Sequence, residues 1–207
     1  MNDLPLDTPQ LLAIAAALGW ASGLRLYAVL FLTGLAGALG AVELPTGLRL
    51  LQSPLMLGAS GFMLFVEFFA DKIPGVDTLW DLVHTLVRIP AGAVLAAAVF
   101  GADQSNWALA AALLGGTLAA TSHVAKATTR AAVNTSPEPL SNIGLSLLGD
   151  GVVPVALWLS WAQPQVFFVL LALAVLAMLV LVWVLGRFLR GLLRRAAAWV
   201  SPRPPAL

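Results

Sequence analysis

The chain is a succession of Ala- and Leu-rich apolar runs, each long enough for a helix and divided from the next by a short break at Pro, Gly, Ser or Asn. A bilayer core roughly 30 Å thick is crossed by about 20 apolar residues in a helix, so runs of this length read as membrane spans. They lack the short alternating pattern of a membrane β-barrel strand. Charge decides between lipid and a large soluble core. A soluble domain carries roughly 25% charged residues to cover its surface, whereas this chain has 10%. It cannot coat itself in that way, so most of its surface must face lipid. Its 207 residues leave room for about six spans with short loops and for no sizeable soluble domain. The expected fold class is therefore an all-α integral membrane protein, a single transmembrane domain over 1–200 with a short tail at 201–207.

Breakers and caps divide the domain. The first helix should start at Asp7 or Thr8, with Pro9 in the first turn where a missing N–H costs nothing. It should run to about Gly40, with a bend or a close helix contact at Gly19 and Gly23. The second opens at Ser53-Pro54 and stops at Pro74-Gly75; the third takes Asp77 as its cap and reaches Gly101, with a kink at Pro90. Asp103-Gln104-Ser105 is a turn and cap, and the fourth helix ends near Val133 with Asn134 as its stop. The segment NTSPEP is a rigid turn, the fifth helix covers 139–161 with Pro154 inside it, and the sixth runs 165–198 to Ser201-Pro202.

At 1.5 Å per residue the sixth helix would be roughly 50 Å long, more than the bilayer core needs. Arg187, Arg190, Arg194, Arg195 and Arg203 crowd its end, which should project into the cytoplasm or lie along anionic headgroups. Six spans then put both termini in the cytoplasm, with Lys72, Lys126 and Arg130 near the inner face and only Arg49 outside, as the positive-inside rule asks. The start, MNDLPLDTPQ, lacks the basic beginning of a signal peptide, so the first helix reads as a retained anchor. There is no cysteine, which excludes disulfides and thiolate metal sites. Trp158, Trp161 and Trp199 read as interfacial anchors.

A faint internal repeat is also present. Placing Ser53-Pro54 over Ser136-Pro137 sets Glu67 over Asp150. Two units, 8–101 and 105–198, of three spans each would point in opposite directions, the inverted arrangement of many secondary transporters.

A charge inside a bilayer costs roughly 2.5 kcal/mol or more unless it is paired or hydrated, and here the charges fall into helical stripes. Glu67 and Asp71 are four apart on the second helix; Asp77, Asp81, His84 and Arg88 share one face of the third. His123, Lys126, Arg130 and Asn134 do the same on the fourth, Asn142, Ser146 and Asp150 on the fifth, and Arg25 stands alone in the first. Facing lipid would leave each unpaired, so the stripes should face one another. The signs balance, Glu67, Asp71, Asp77, Asp81 and Asp150 against Arg25, Lys72, Arg88, Lys126 and Arg130.

Plainer roles fit some of them. Lys72, Asp77, Lys126 and Arg130 also suit snorkelling at the interface, Asp77 a helix cap, and His84 and His123 ordinary packing instead of a proton relay. For Arg25, Glu67 and Asp150 the structural alternative is an ion pair that fixes helix register. Gly19-x-x-x-Gly23 reads as a packing motif. Asp81 with His84 is a weak metal half-site, since Arg88 and Lys72 would repel the ion. No Gly-rich phosphate loop, HExxH or Gly-x-Ser-x-Gly occurs.

The segments FVEFFADKIPGVDTLWDLVHTLVRIPAGA (65–93) and SHVAKATTRAAVNTSPEPLSNIGLSLLGD (122–150) resemble the two signature blocks of a bacterial membrane family known as domain of unknown function 4126. The resemblance covers about residues 10–190. After Leu148 the chain departs from it, with Gly149-Asp150 where an acidic pair is usual, so that one carboxylate remains. The resemblance implies a membrane protein of the bacterial cytoplasmic membrane and points to the same charged residues, but it supplies no activity.

Three functions follow as expectations. The first is a transporter or channel for a small ion or solute, passing between the first, second, fourth and fifth helices. Glu67 and Asp150 would bind cations or protons, and Arg25 would be a counter-ion. Asp71 and Asn142 would line the pathway, and Asp81, His84, Arg88, His123, Lys126 and Arg130 would form a cytoplasmic vestibule. The second is an intramembrane enzyme on a lipid-linked substrate, which needs a cavity open sideways to lipid. The third is a non-catalytic assembly protein. Membrane lipids are the expected partners, with no nucleic acid, no cofactor and no metal, and small-residue faces permit a homo-oligomer.

Overall fold

The computed structural model describes residues 6–73, 75–101, 104–135 and 139–200, with the backbone alone for Pro139 and 196–200. Expectations that fall on Pro74, Asp103, Ser136 to Glu138, the Trp199 side chain and the tail from Ser201, Arg203 included, lie outside the described residues. Among the described residues six α-helices follow one another: α1 (Thr8–Ala38), α2 (Pro54–Ala70), α3 (Val76–Ala98), α4 (Ser105–Val133), α5 (Pro139–Ala162) and α6 (Pro164–Val200). A short 3-10 helix, Thr46–Gln52, precedes α2, and no strand occurs among the described residues. Five helices are long and apolar enough to cross a membrane; the 3-10 helix and α2, bent by 70° at their junction, make a sixth if taken as one span. The chain is an all-α, multi-pass membrane protein.

The helices begin where the sequence places their caps. Asp7 Oδ1 accepts the Gln10 N–H at 2.8 Å while Gln10 Oε1 accepts the Asp7 N–H at 3.1 Å, a reciprocal box that satisfies two donors at a helix start. Ser53 Oγ accepts from the Met56 N–H at 3.4 Å. Gly75, at φ +87°, turns the chain between α2 and α3 in a conformation costly for other residues. Both α3 and α5 continue through their internal prolines, Pro90 and Pro154.

Polarity is inverted relative to a soluble protein. On α3, Asp77, Asp81, His84 and Arg88 are buried, whereas Leu79, Leu82, Leu86 and Val94 are exposed. Lipid explains this, since it leaves apolar side chains content outside and drives charges inward to find partners. Trp158 is exposed in the manner of an anchor, while Trp161 packs partly buried against the core.

Small residues let α1, α3 and α4 approach closely at the centre. A methyl group added to Gly19 would overlap the Gly115 backbone, one added to Gly23 would overlap Ala119 and Ser122, and one added to Gly92 would press on Ala119. Ser122 Oγ donates across this crossing to the Trp20 carbonyl at 2.6 Å. Gly19 and Gly23 are thus contact points. Enlarging one, as in Gly115→Val, should destabilise the protein by about 1–3 kcal/mol or more. Gly58→Ala, which meets nothing within 4 Å, should leave thermal unfolding in detergent unchanged or slightly raised.

The break in α1 comes instead at Arg25, whose backbone is non-helical (φ −149°, ψ 85°). Before it, α1 runs beside α4 in the same direction, Gly19 at Gly115 and Gly23 at Ala119. After it, α1 runs back against α2, Phe31 at Gly61, Gly34 at Leu51 and Leu57, and Gly37 at Leu44 and Gln52. Both halves therefore reach the same end of the bundle, where Leu6 and Leu11 line a cavity with Glu43 to Gly47, Val99, Phe100, Gly101 and Gln104.

Of the bend or close helix contact expected at Gly19 and Gly23, the contact is found there, and the bend lies at Arg25. The helix α6 descends along α5, its residues 174–181 sharing a cavity wall with residues 145–152. Its arginines 187–195 lie beyond, at the end opposite Leu6. The first members of the two expected three-helix units, α1 and α4, do not match. Although α2 and α5 run in opposite directions, as do α3 and α6, α4 is continuous where α1 is broken.

Candidate functional site

The break in α1, the C-terminal end of α2, the first half of α3, the last turns of α4 and the first half of α5 converge on one buried ion network. Arg88 sits between Glu67 at 2.7 Å and Asp81 at 2.6 Å. Asp81 passes the chain of charges to Lys126 at 3.1 Å and Arg130 at 3.6 Å. Asp71 is the hub, with its Oδ2 3.2 Å from Arg25, 3.0 Å from Lys126 and 3.2 Å from Arg130. Arg25 Nε then reaches Asp150 at 2.9 Å, and Asp150 reaches Lys72 at 3.4 Å. Alternating sign at every step lets so many charges leave water together, because each removed from its partner would be costly.

Local structure sets the hub. Asp71 caps the C-terminal end of α2, where the helix dipole disfavours an anion, and the three cations offset this. At the broken turn, the Leu24 carbonyl accepts from Lys126 Nζ at 3.0 Å. Arg25 Nη2 donates to Ser146 Oγ at 2.7 Å and to the Ser146 carbonyl at 3.2 Å. Asp77 serves twice. Its Oδ1 accepts the N–H groups of Gly75 at 2.8 Å and Thr78 at 2.6 Å, and its Oδ2 accepts from Arg130 at 3.2 Å and Asn142 at 3.0 Å.

Of the sequence candidates, Arg25, Glu67, Asp71, Asp81, Arg88, Lys126, Arg130 and Asp150 are in the network itself, and Asn142 joins through Asp77 and Asn134. Lys126, partly buried, and Arg130, buried, are paired with carboxylates, not snorkelling. His123 is attached at one edge. Thr85 Oγ1 donates to the Asp81 carbonyl at 2.9 Å, so at 2.7 Å it accepts from His123 Nε2, leaving Nδ1 to accept from Arg88 at 3.5 Å.

His84 stands apart, its Nδ1 2.8 Å from the Trp80 carbonyl and its Nε2 3.2 Å from the Tyr27 hydroxyl. With Asp81 bound to three cations and His84 turned to Tyr27, the two form no metal half-site, and no group of three or more candidate ligands is found among the described residues. Tyr27 and Thr85 were missed by the sequence reading. The chain's sole tyrosine, two residues after the lone Arg25, was the available signal for the first.

Beside the hub lies a cavity of about 460 Å³ between α1, α4, α5 and α6. Arg25, Asp71, Lys126 and Arg130 form its charged side, with Thr129 and Ser146, and the rest of its lining is mostly apolar, including Leu145, Val152, Ala174 and Met178.

Fold and site together define a multi-pass helical membrane protein whose buried charges are gathered around a broken helix. The model of the family described as Domain of unknown function (DUF4126) matches residues 12–184, and the chain belongs to that family. No curated protein and no solved structure matches it.

Proposed function

We propose that the protein is a transporter that moves a small solute or ion through the region where α1, α4 and α5 meet. The observation that carries this reading is the break of α1 at Arg25, placed at the ion network and beside the cavity. Irregular backbone at membrane depth persists where it is buried in protein or lines a cavity, and broken helices that offer free backbone groups are a recurring device of transporters.

Glu67 adds a proton or cation site, since its Oε2 is buried without a hydrogen-bond partner while Oε1 holds Arg88. Lys72 and the arginines of α6 share one end of the bundle, which the positive-inside rule makes cytoplasmic. Leu6 is then on the outer side.

Flux across liposomes tests this. Glu67→Gln and Asp150→Asn should each lower flux by about tenfold or more, a change of about 1.4 kcal/mol in the barrier, while the protein remains folded and extractable. Undiminished flux in the folded double variant would sink the assignment.

The cavity also suits an enzyme on a lipid-linked substrate, but neither His84 nor His123 lines it, and its one lining carboxylate, Asp71, is held by three cations. The transport reading therefore stands first.

A further inference from the structure

We infer that the solute is an amphiphile with one anionic headgroup and a single hydrocarbon tail, which enters the cavity sideways from the bilayer. This rests on the transport reading and names its substrate class.

The cavity wall is divided in two. Arg25, Lys126 and Arg130, with the Ser146 and Thr129 hydroxyls, make a polar corner, and the remainder is chiefly aliphatic. A small hydrated ion would match the corner and leave the aliphatic part facing water, which is unfavourable in proportion to its area. A ligand with a charged end and an apolar end matches both. The volume, about 460 Å³, falls in the range of roughly 300–1,000 Å³ typical of small-molecule sites, less than two long acyl tails with a headgroup would fill.

The sign of the headgroup follows from what lines the corner. Three cations and one carboxylate, Asp71, line the cavity; Asp77, Asp81 and Asp150 pair with the same cations and do not line it. Arg25 is fully paired in charge but not in hydrogen bonds. Its Nη1 lies 3.2 Å from Asp71 at an angle that makes no hydrogen bond, although the side chain is almost wholly buried. That nitrogen is sealed from the cavity as it stands, so a carboxylate or phosphate oxygen accepts from it only after a small shift of the corner side chains, and charge-assisted bonds of this kind are roughly twice as strong as neutral ones.

The route of access is read from the rim. Leu148 and Leu181 line the cavity and are 63% and 39% exposed. On membrane helices such apolar exposure is to hydrocarbon, so the mouth opens between α5 and α6 onto lipid, with the cationic corner at its inner wall.

Binding is tested with purified protein in neutral detergent by native mass spectrometry, using a monoacyl phosphate, a monoacyl phosphocholine of equal chain length and inorganic phosphate. The monoacyl phosphate should bind at least about tenfold more tightly than the phosphocholine, and millimolar inorganic phosphate should not displace it. Ala177→Trp, which fills the apolar half without touching a charge, should abolish binding. Leu176→Trp, on the exposed side of α6 and outside the lining, should not.

Equal binding of the two lipids would overturn the anionic selectivity, and displacement by inorganic phosphate would overturn the need for a tail. Binding unaltered by Ala177→Trp would overturn the location. Selective binding with no movement of labelled amphiphile between leaflets in liposomes would keep the site and refute transport. Ion flux without amphiphile binding would do the reverse.

Discussion

Replacing Asp71 by asparagine is expected to destabilise the folded protein by about 3–5 kcal/mol, the range for removing one partner of a buried ion pair. Asparagine keeps the shape and removes the charge, so the loss reports electrostatics and not packing. The three cations around Asp71 would then share Asp77, Asp81 and Asp150, and Arg25, Lys126 and Arg130 would repel one another across a space with little water. Unfolding titrations in mixed detergent micelles would measure the loss. A variant within about 1 kcal/mol of wild type, inside the ordinary spread for harmless substitutions, would show that Asp71 is not a charged hub.

Arg88→Met should be about as damaging, because it leaves Glu67 buried with no cation, whereas Asp81 still has Lys126 and Arg130. The informative measurement is the pair. Arg88→Met together with Glu67→Leu removes both charges, and apolar replacement of a whole buried pair is often neutral or stabilising. The double variant should therefore recover most of the stability lost in the single one, with a coupling of roughly 0.5–3 kcal/mol. A double variant less stable than Arg88→Met would mean that Glu67 is held by something other than Arg88. Flux read on the same proteins separates the two roles of Glu67, since a stable double variant that does not transport shows the carboxylate to be needed for passage.

How far the sequence could be read depended on whether the signal was local. The spacing of Asp77, Asp81, His84 and Arg88 fixes one helical face, and the structure buries that face. The balance of signs among five acids and five bases announced a paired interior, which the ion pairs realise. Partner choice was not legible, because nothing in the chain says that Arg88 takes Glu67 while Arg25 takes Asp71 and Asp150, residues far apart in sequence. The break in α1 at Arg25 was not legible for a related reason. Gly19 and Gly23 carry the local signature of a bend, yet there the glycines admit α4, and the chain turns where Arg25 must leave the helix to meet charges on α2 and α5. His84 belongs to the stripe by spacing but not to the network, because Trp80 and Tyr27 hold its two ring nitrogens.

The central position of α1 has a consequence for biogenesis. Synthesis delivers domains and helices in chain order, so α1 leaves the ribosome before every element that surrounds it. Its Ala-rich faces are buried against later helices, and Arg25 has no carboxylate to meet until Asp71 and then Asp150 have been made. A half-helix that carries a lone arginine settles in hydrocarbon by itself only at a cost of roughly 2.5 kcal/mol or more. The helix made before its five neighbours is thus the one whose native surroundings are completed late, once α5 has come into place.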